Sequence, residues 1–411
     1  MPERTSLPQA NQTPTTHAGL VLGSVSGPVR SLYMHIPFCA HKCHYCDFYS
    51  LVDPRDRQGA FVERLGRELH ALAPLGRGVP LTTIFVGGGT PSLLPPFLWD
   101  RLLGVLHEAF DLTSLEEFSV ECNPESVSPE FFSTLTRGGV TRVSMGAQSF
   151  NPSHLKTLER RHSPGNAGRA LAMARDAGIA RQSIDLIFGI PGQTLDDWKH
   201  DLDDALALGT EHLSCYNLTY EPGTAMTARL KRGEFTPADE DVEVEMFRVT
   251  LAAARGAGLE RYEVSNFAKP GAQCRHNLVY WRGGNWLAAG PSASGHINGH
   301  RWKNTPRLDD YLSIDRDGFA PVSEHETPDP GRAITERLMT GLRLSEGLDR
   351  AWVVTQAATL HSGAASRLAG AIERQTALGF LEADPARLRL TDAGFLVGDS
   401  VILELAGALD L

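Results

Sequence analysis

The chain has 411 residues, too many for one small domain and enough for a large α/β barrel with a smaller companion. Apolar residues make up 42%, so a sizeable core can be buried, while a net charge of −10 without a long basic run argues against a nucleic-acid surface, whose phosphates need clustered Lys and Arg. No apolar run is long enough to cross a membrane, and residues 1–29, rich in Pro, Thr, Ser and Gln, lack the basic start and apolar centre of a secretion signal. They read as a flexible N-terminal tail, and the chain is expected in the reducing cytoplasm.

From there the chain alternates short apolar runs with helical spacing. Strands are predicted at 32–36, 83–86, 118–121, 142–145, 184–188 and 213–218. Between them, Phe61, Val62, Leu65, Leu69 and Leu72 repeat with helical period, as do Leu195, Trp198, Leu202, Ala205 and Leu206. Thr194 and Asp197 form a capping pair before the second of these helices, and Gly209 stands where it should stop. Six strands alternating with helices imply parallel pairing by crossovers. Short, apolar strands suit helices on one face and a packed barrel interior on the other. Two further repeats for a closed eight-unit barrel are not found, so residues 30–265 read as an open, partial (β/α)6 barrel. Residues 266–325, rich in Gly, Asn, His and Trp, read as an irregular connecting segment. Residues 326–411 resume with helices at 334–342, 353–360 and 368–378, short strands at 379–382 and 388–391, and a closing helix. That order suggests an α+β, winged-helix-like C-terminal domain. From residue 331 onward it carries eight basic against ten acidic residues, so a structural or protein-contact role fits better than DNA binding.

In such barrels chemistry gathers at the C-terminal ends of the strands. The polar and cysteine residues fall there: the cysteine loop after the first strand, Gly87-Gly88-Gly89-Thr90-Pro91 after the second, Glu121 ending the third, Gln148 after the fourth, and Asp185 in the fifth. Of six cysteines, Cys122, Cys215 and Cys274 stand singly and read as small buried hydrophobes. Cys39-x3-Cys43-x2-Cys46 puts three thiolates on one compact loop, able to hold three irons of a cubane. The fourth iron then stays open to the amino and carboxylate groups of a small ligand. Zinc with His35, His41 or His44 as fourth ligand is the alternative, but zinc loops usually bring two close pairs and no second pair exists.

Tyr33-Met34-His35-Ile36-Pro37-Phe38-Cys39 with its three-cysteine loop resembles the radical SAM proteins related to oxygen-independent coproporphyrinogen III oxidase. Further matches are Gly87 to Pro91, Glu121-Cys122-Asn123-Pro124, Ser144-Met145-Gly146-Ala147-Gln148-Ser149-Phe150, Asp185 to Gly192 and Tyr262-Glu263-Val264-Ser265-Asn266-Phe267-Ala268. The resemblance implies a [4Fe-4S] cluster on Cys39, Cys43 and Cys46, with S-adenosylmethionine (SAM) beside it. Tyr33 and Tyr45 match positions touching SAM. Gly88, Gly89 and Thr90 match the segment for its amino group, and Glu121 matches its ribose-binding acid. Gln148, Arg160 and Asp185 match further contacts. Taken singly, Tyr33 would pass for a core aromatic, the glycines for a tight turn, and Arg160 for a solvated helix charge.

Two features separate the chain from the oxidase. The oxidase continues Cys-x-Cys after its third ligand, whereas here Cys46-Asp47-Phe48 follows. His276-Asn277-Leu278-Val279-Tyr280-Trp281 matches the His-Asn-x-x-Tyr-Trp motif of the heme-chaperone branch. That branch implies a protein without coproporphyrinogen oxidase activity, which binds heme with His276 in contact and passes it to heme-accepting respiratory proteins at the membrane. Oxidative decarboxylation of coproporphyrinogen III is the alternative activity. Taken alone, His276 would pass for a structural histidine.

Overall fold

The computed structural model describes residues 28–76 and 78–410. The expected tail therefore lies outside the described residues except for Pro28 and Val29, and Val29 is buried in the main core.

Six strands, β1 (Ser31–Ile36), β2 (Thr83–Gly88), β3 (Glu117–Cys122), β4 (Arg142–Gln148), β5 (Arg181–Phe188) and β6 (His212–Asn217), pair in parallel in sequence order. Helices Gln58–Leu72, Pro96–Ala109, Pro129–Arg137, Gly165–Asp176 and Leu195–Ala207 make the crossovers. The last opens on a capping box, in which Thr194 and Asp197 exchange side chain-to-backbone hydrogen bonds. Leu32, Met34, Ile84, Val86, Phe118, Val120, Val143, Met145, Ile184 and Leu186 pack with Phe61, Leu65, Leu69, Leu102, Phe131 and Trp198 of these helices in one core. Successive strand residues face opposite ways. The intervening positions include Ser31, Thr83, Glu117, Ser119, Glu121, Arg142, Ser144, Ser183, Asp185, His212 and Ser214, with Phe85 and Ile187 among the apolar exceptions. The interior is therefore mostly polar, and the outward alternates supply most of the apolar signal that marks the strands.

Three more strands join the same sheet. β8 (Asn266–Ala268) runs antiparallel beside β6, β7 (Glu260–Arg261) pairs with β8, and β9 (Leu287–Ala289) runs parallel beside β1, with Leu32 opposite Leu287. The sheet is open, with β7 and β9 at its edges. Residues 266–325 are thus not irregular. Besides β8 and β9 they carry helix Arg275–Trp281 and most of an antiparallel sheet of β10 (Ser294–Ile297), β11 (His300–Asn304) and β12 (Val322–Glu326). Strands of three to five residues between turns, two of them at Gly290 (φ 99°) and Gly299 (φ 82°), are too short to show a period.

A second core, built on Ile334, Leu338, Leu368, Ile372 and Leu405, belongs to helices Pro330–Gly341, Ala364–Ala377 and Gly398–Gly407. Helix Arg350–Leu360 adds Val353 and Ala357 to it. The two expected short strands meet at a Leu381–Leu390 bridge, beside which β13 (Leu348–Asp349) pairs with β14 (Arg387–Leu388). Arg261 of β7 joins the two parts, stacking on Phe395 at 3.6 Å and donating to Asp392 at 3.0 Å.

Arg64, fully buried in the first helix, donates to the carbonyls of Tyr311 (3.1 Å), Gly318 (2.8 Å), Ile314 (3.3 Å) and Phe319 (2.8 Å). It holds the segment before β12 against the barrel. Replacing Arg64 by Leu strips these buried carbonyls of their donor and is expected to lower unfolding free energy by about 3 kcal/mol in a denaturant titration.

Candidate functional site

A cavity of about 490 Å³ opens at the C-terminal ends of the strands. Its rim is the loop that leaves β1. That loop is pinched shut where Cys39 N donates to Leu51 O (2.9 Å) and Leu51 N donates to Pro37 O (2.8 Å). His35 ties the far side of the loop to β1: Tyr33 OH meets its Nδ1 at 3.0 Å, and its Nε2 meets Tyr49 O at 2.8 Å. A carbonyl can only accept, so Nε2 carries the proton and Nδ1 accepts from the phenol. Burial holds this imidazole neutral, with its pKa pushed down to about 4.

Cys39, Cys43 and Cys46 are half-buried around the cavity, none in a disulfide. Thr90 Oγ1 donates to Cys39 Sγ at 3.5 Å, and Arg160 Nη1 lies 3.9 Å from Cys43 Sγ. Burial pushes the Cys39 thiol up and the Cys46 thiol up to about 11, so metal binding there must displace protons. Among the described residues no three His, Cys, Asp or Glu side chains converge to hold one ion. Three thiols spread round one mouth fit a group that offers each its own metal atom.

The opposite wall is shaped for a polar organic ligand. Gly88 has φ 111°, and a Cβ there would lie 2.5 Å from the His35 ring; one on Gly89 would lie 2.7 Å from Phe38 O. These close approaches to His35 and to the backbone of the cysteine loop leave no room for a side chain, so only glycine fits at either position. Gly87 leaves room for Glu121, whose carboxylate a Cβ would meet at 2.7 Å. Glu121 accepts from Gly88 N at 3.2 Å. Burial, then the charge of Asp185, raise its pKa to about 7. A buried carboxyl with so few donors suits a ligand bearing hydroxyls. Gln148 is turned into the cavity by a break in the β4–β5 register and a left-handed backbone, φ 67°. Arg160 is anchored through Nη2 on Gly146 O at 2.5 Å, while its buried Nε has no partner.

Of the thirteen residues expected from the sequence, eleven line this cavity: the three cysteines, Tyr45, Gly88, Gly89, Thr90, Glu121, Gln148, Arg160 and Asp185. Tyr33 does not; its hydroxyl is engaged by His35 and its ring stacks on Phe85. His276, expected from the sequence to contact heme, does not line it either. Its ring is fully buried at the other end of the barrel, with Nδ1 on Thr83 Oγ1 (2.9 Å) and Nε2 on Tyr280 OH (2.8 Å). Glu117 accepts from the backbone of Arg275 and His276, both at 3.0 Å, and so fixes the start of that helix. No ring nitrogen is left for a metal, and burial drives the imidazole pKa down to about 3. Sequence reasoning passed over Ser144 and Gly146, which share the inward alternation of Gln148, and Tyr216 and Asn217 at the end of β6. Polar residues at every second place of an apolar strand were the available signal. Replacing His276 by Ala leaves a void and strips the Tyr280 hydroxyl of its partner, while Thr83 keeps its bond to Ser31, and is expected to cost about 2–4 kcal/mol of stability, measured by equilibrium unfolding.

The Radical SAM superfamily model matches residues 33–205, and the HemN C-terminal domain model matches residues 329–397. The protein named heme chaperone HemW in Mycobacterium tuberculosis is 39% identical over 94% of this chain and 97% of its own length. Those of Bacillus subtilis and Escherichia coli are 34% and 38% identical, over 85% and 71% of their lengths. Among solved structures, the coproporphyrinogen III oxidase HemN of E. coli, a radical SAM enzyme, superposes with a TM-score of 0.80 at 22% identity, covering 95% of this chain and 92% of that one. That likeness shows a shared fold. With thiols, glycine cradle and buried carboxyls at the strand ends, and relatives matching along nearly its whole length, the chain belongs to the HemW family of radical SAM proteins, a membership that implies a [4Fe-4S] cluster and SAM.

Proposed function

We propose that this protein binds heme and hands it to heme-requiring respiratory proteins, holding a [4Fe-4S] cluster and SAM at the barrel mouth. The observation that carries the reading is the gathering of eleven expected residues around one cavity in a chain 39% identical to a protein named heme chaperone HemW. Cys39, Cys43 and Cys46 would bind the cluster, each thiolate on its own iron. The cluster, when bound, supplies single electrons to the sulfonium it faces. The backbone at Gly88 to Thr90 would receive the amino group, Arg160 the carboxylate and Glu121 the ribose hydroxyls. Gln148 and Asp185 would complete the pocket, and Tyr45 would close it beside the cysteines. The cavity lies within the usual range for a single small ligand, so heme is assigned to a surface outside it. His276 is not that surface, because its ring is buried.

The test of function is anaerobic. Cluster-reconstituted protein is given SAM, a reductant and coproporphyrinogen III, and in parallel is titrated with heme. Heme uptake without loss of carboxyl groups by mass spectrometry is expected, and single Ala variants of the three cysteines should lose the brown chromophore. Decarboxylated product would make the protein an oxidase and end the chaperone reading.

Glu121 gives the site a pH dependence. Its folded pKa, near 7, lies above that of an unfolded Glu, so its contribution to stability is present below about pH 4.5 and lost as pH rises through 7. Ribose hydroxyls favour the ionised form. SAM affinity should therefore rise about tenfold or more from pH 5.5 to 7.5 in equilibrium dialysis and level off above, while in Glu121→Gln the same titration is flat and weaker throughout.

A further inference from the structure

Asp185 sits at the floor of the cavity among hydroxyls. Ser144 on β4 donates to both its oxygens (3.0 and 2.9 Å), Ser183 on β5 to one (3.3 Å), and Ser214 on β6 donates as well. Behind Ser183 stands His212, fully buried, with Nδ1 2.7 Å from Ser183 Oγ and Nε2 2.9 Å from Tyr262 OH. Neither His212 nor Tyr262 lines the cavity.

The direction of each proton in this line is fixed by the groups at its ends. Tyr262 OH receives Cys274 N (3.4 Å) and Asn277 Nδ2 (3.5 Å), both of which can only donate. Its own proton therefore points to His212 Nε2. Burial keeps the imidazole neutral, so Nδ1 carries the hydrogen and donates to Ser183. Ser183, having accepted there, donates to Asp185. All three dipoles thus aim at one carboxyl and favour its anion.

The other charged and titratable groups around Asp185 are Glu121 from β3, Arg142 from β4, and the Cys122, Cys215 and Tyr216 side chains. Glu121 has one backbone donor where Asp185 has three serines. Two carboxyls near each other in a buried site do not both ionise easily, and the better-solvated one keeps the charge. We infer that His212 is a positioning residue for the cavity: through Ser183 it aims a one-way line of hydrogen bonds at Asp185 and makes it the ionised member of its pair with Glu121. The assignment rests on the reading that the cavity takes SAM, whose cationic groups such an anion would face.

The test uses the full chain with its cluster. pH-difference infrared spectra report protonated carboxyls directly, with Glu121 and Asp185 identified by the bands missing from Glu121→Gln and Asp185→Asn. SAM affinity is measured across the same pH range. In the wild type Glu121, and not Asp185, should show a protonated band at pH 6. In Ser183→Ala and Tyr262→Phe, which remove single hydroxyls, an Asp185 band should appear at pH 6, and the acid limb of SAM binding should move up by about one pH unit, a tenfold loss at pH 6 regained by pH 8. His212→Gln, whose amide can accept from Tyr262 and donate to Ser183, should behave as wild type. An Asp185 that stays ionised in both hydroxyl variants, or affinity lost equally at every pH, would overturn the inference. If the wild type binds no SAM, the site reading falls, and the infrared bands still decide the protonation of the pair.

Discussion

Every second residue of the six parallel strands faces a space enclosed by its neighbours, and in this chain most of those residues are polar. A polar group shut away from water must find a partner or destabilise the fold. At the barrel base the requirement is met by helix Arg275–Trp281, which offers backbone N–H groups to Glu117 and a histidine to Thr83. In the middle it is met across strands, serine to aspartate. At the mouth Glu121 and Arg160 retain unused bonding capacity. The site is the stretch of the interior where satisfaction is left to a ligand.

The same gradient explains what was legible in advance. Outward-facing residues such as Leu32, Met34, Ile84 and Val86 pack on helices and announce the strands by their apolar character. The cysteine spacing and the glycine run announce the mouth, because few other local structures use those residues together. The place of His276 was not legible, because its motif gives no sign of which end of the barrel it will occupy. That is decided by Glu117, Thr83 and Tyr280, two of them far away in sequence. β9 was missed for a related reason: Leu287 to Ala289 is a strand only because β1 offers an open edge. Three residues carry no period of their own.

The mouth combines thiols and a carboxyl held in the same, protonated state by one cause. Burial leaves the thiols of Cys39 and Cys46 reluctant to ionise and keeps Glu121 protonated toward neutral pH. The ligand-free site therefore carries less charge than its residue types suggest. Loading it with metal and ligand is then an exchange of protons for positive charge, coupled to the pH of the surroundings.

The pairing of Leu32 with Leu287 joins the first strand to a residue some 250 positions later. In kinetic terms this is a contact of very high order, made late and at the cost of closing a long loop. A chain leaving the ribosome exposes the cysteine loop early and then waits through the synthesis of seven more strands, the base helix and β9 before β1 has both neighbours. For that interval the three thiols sit on an unfinished edge, open to oxidation or stray metal. Assembly of the cluster thus belongs after translation of the barrel, on a chain whose first strand has already been sealed by one of its last.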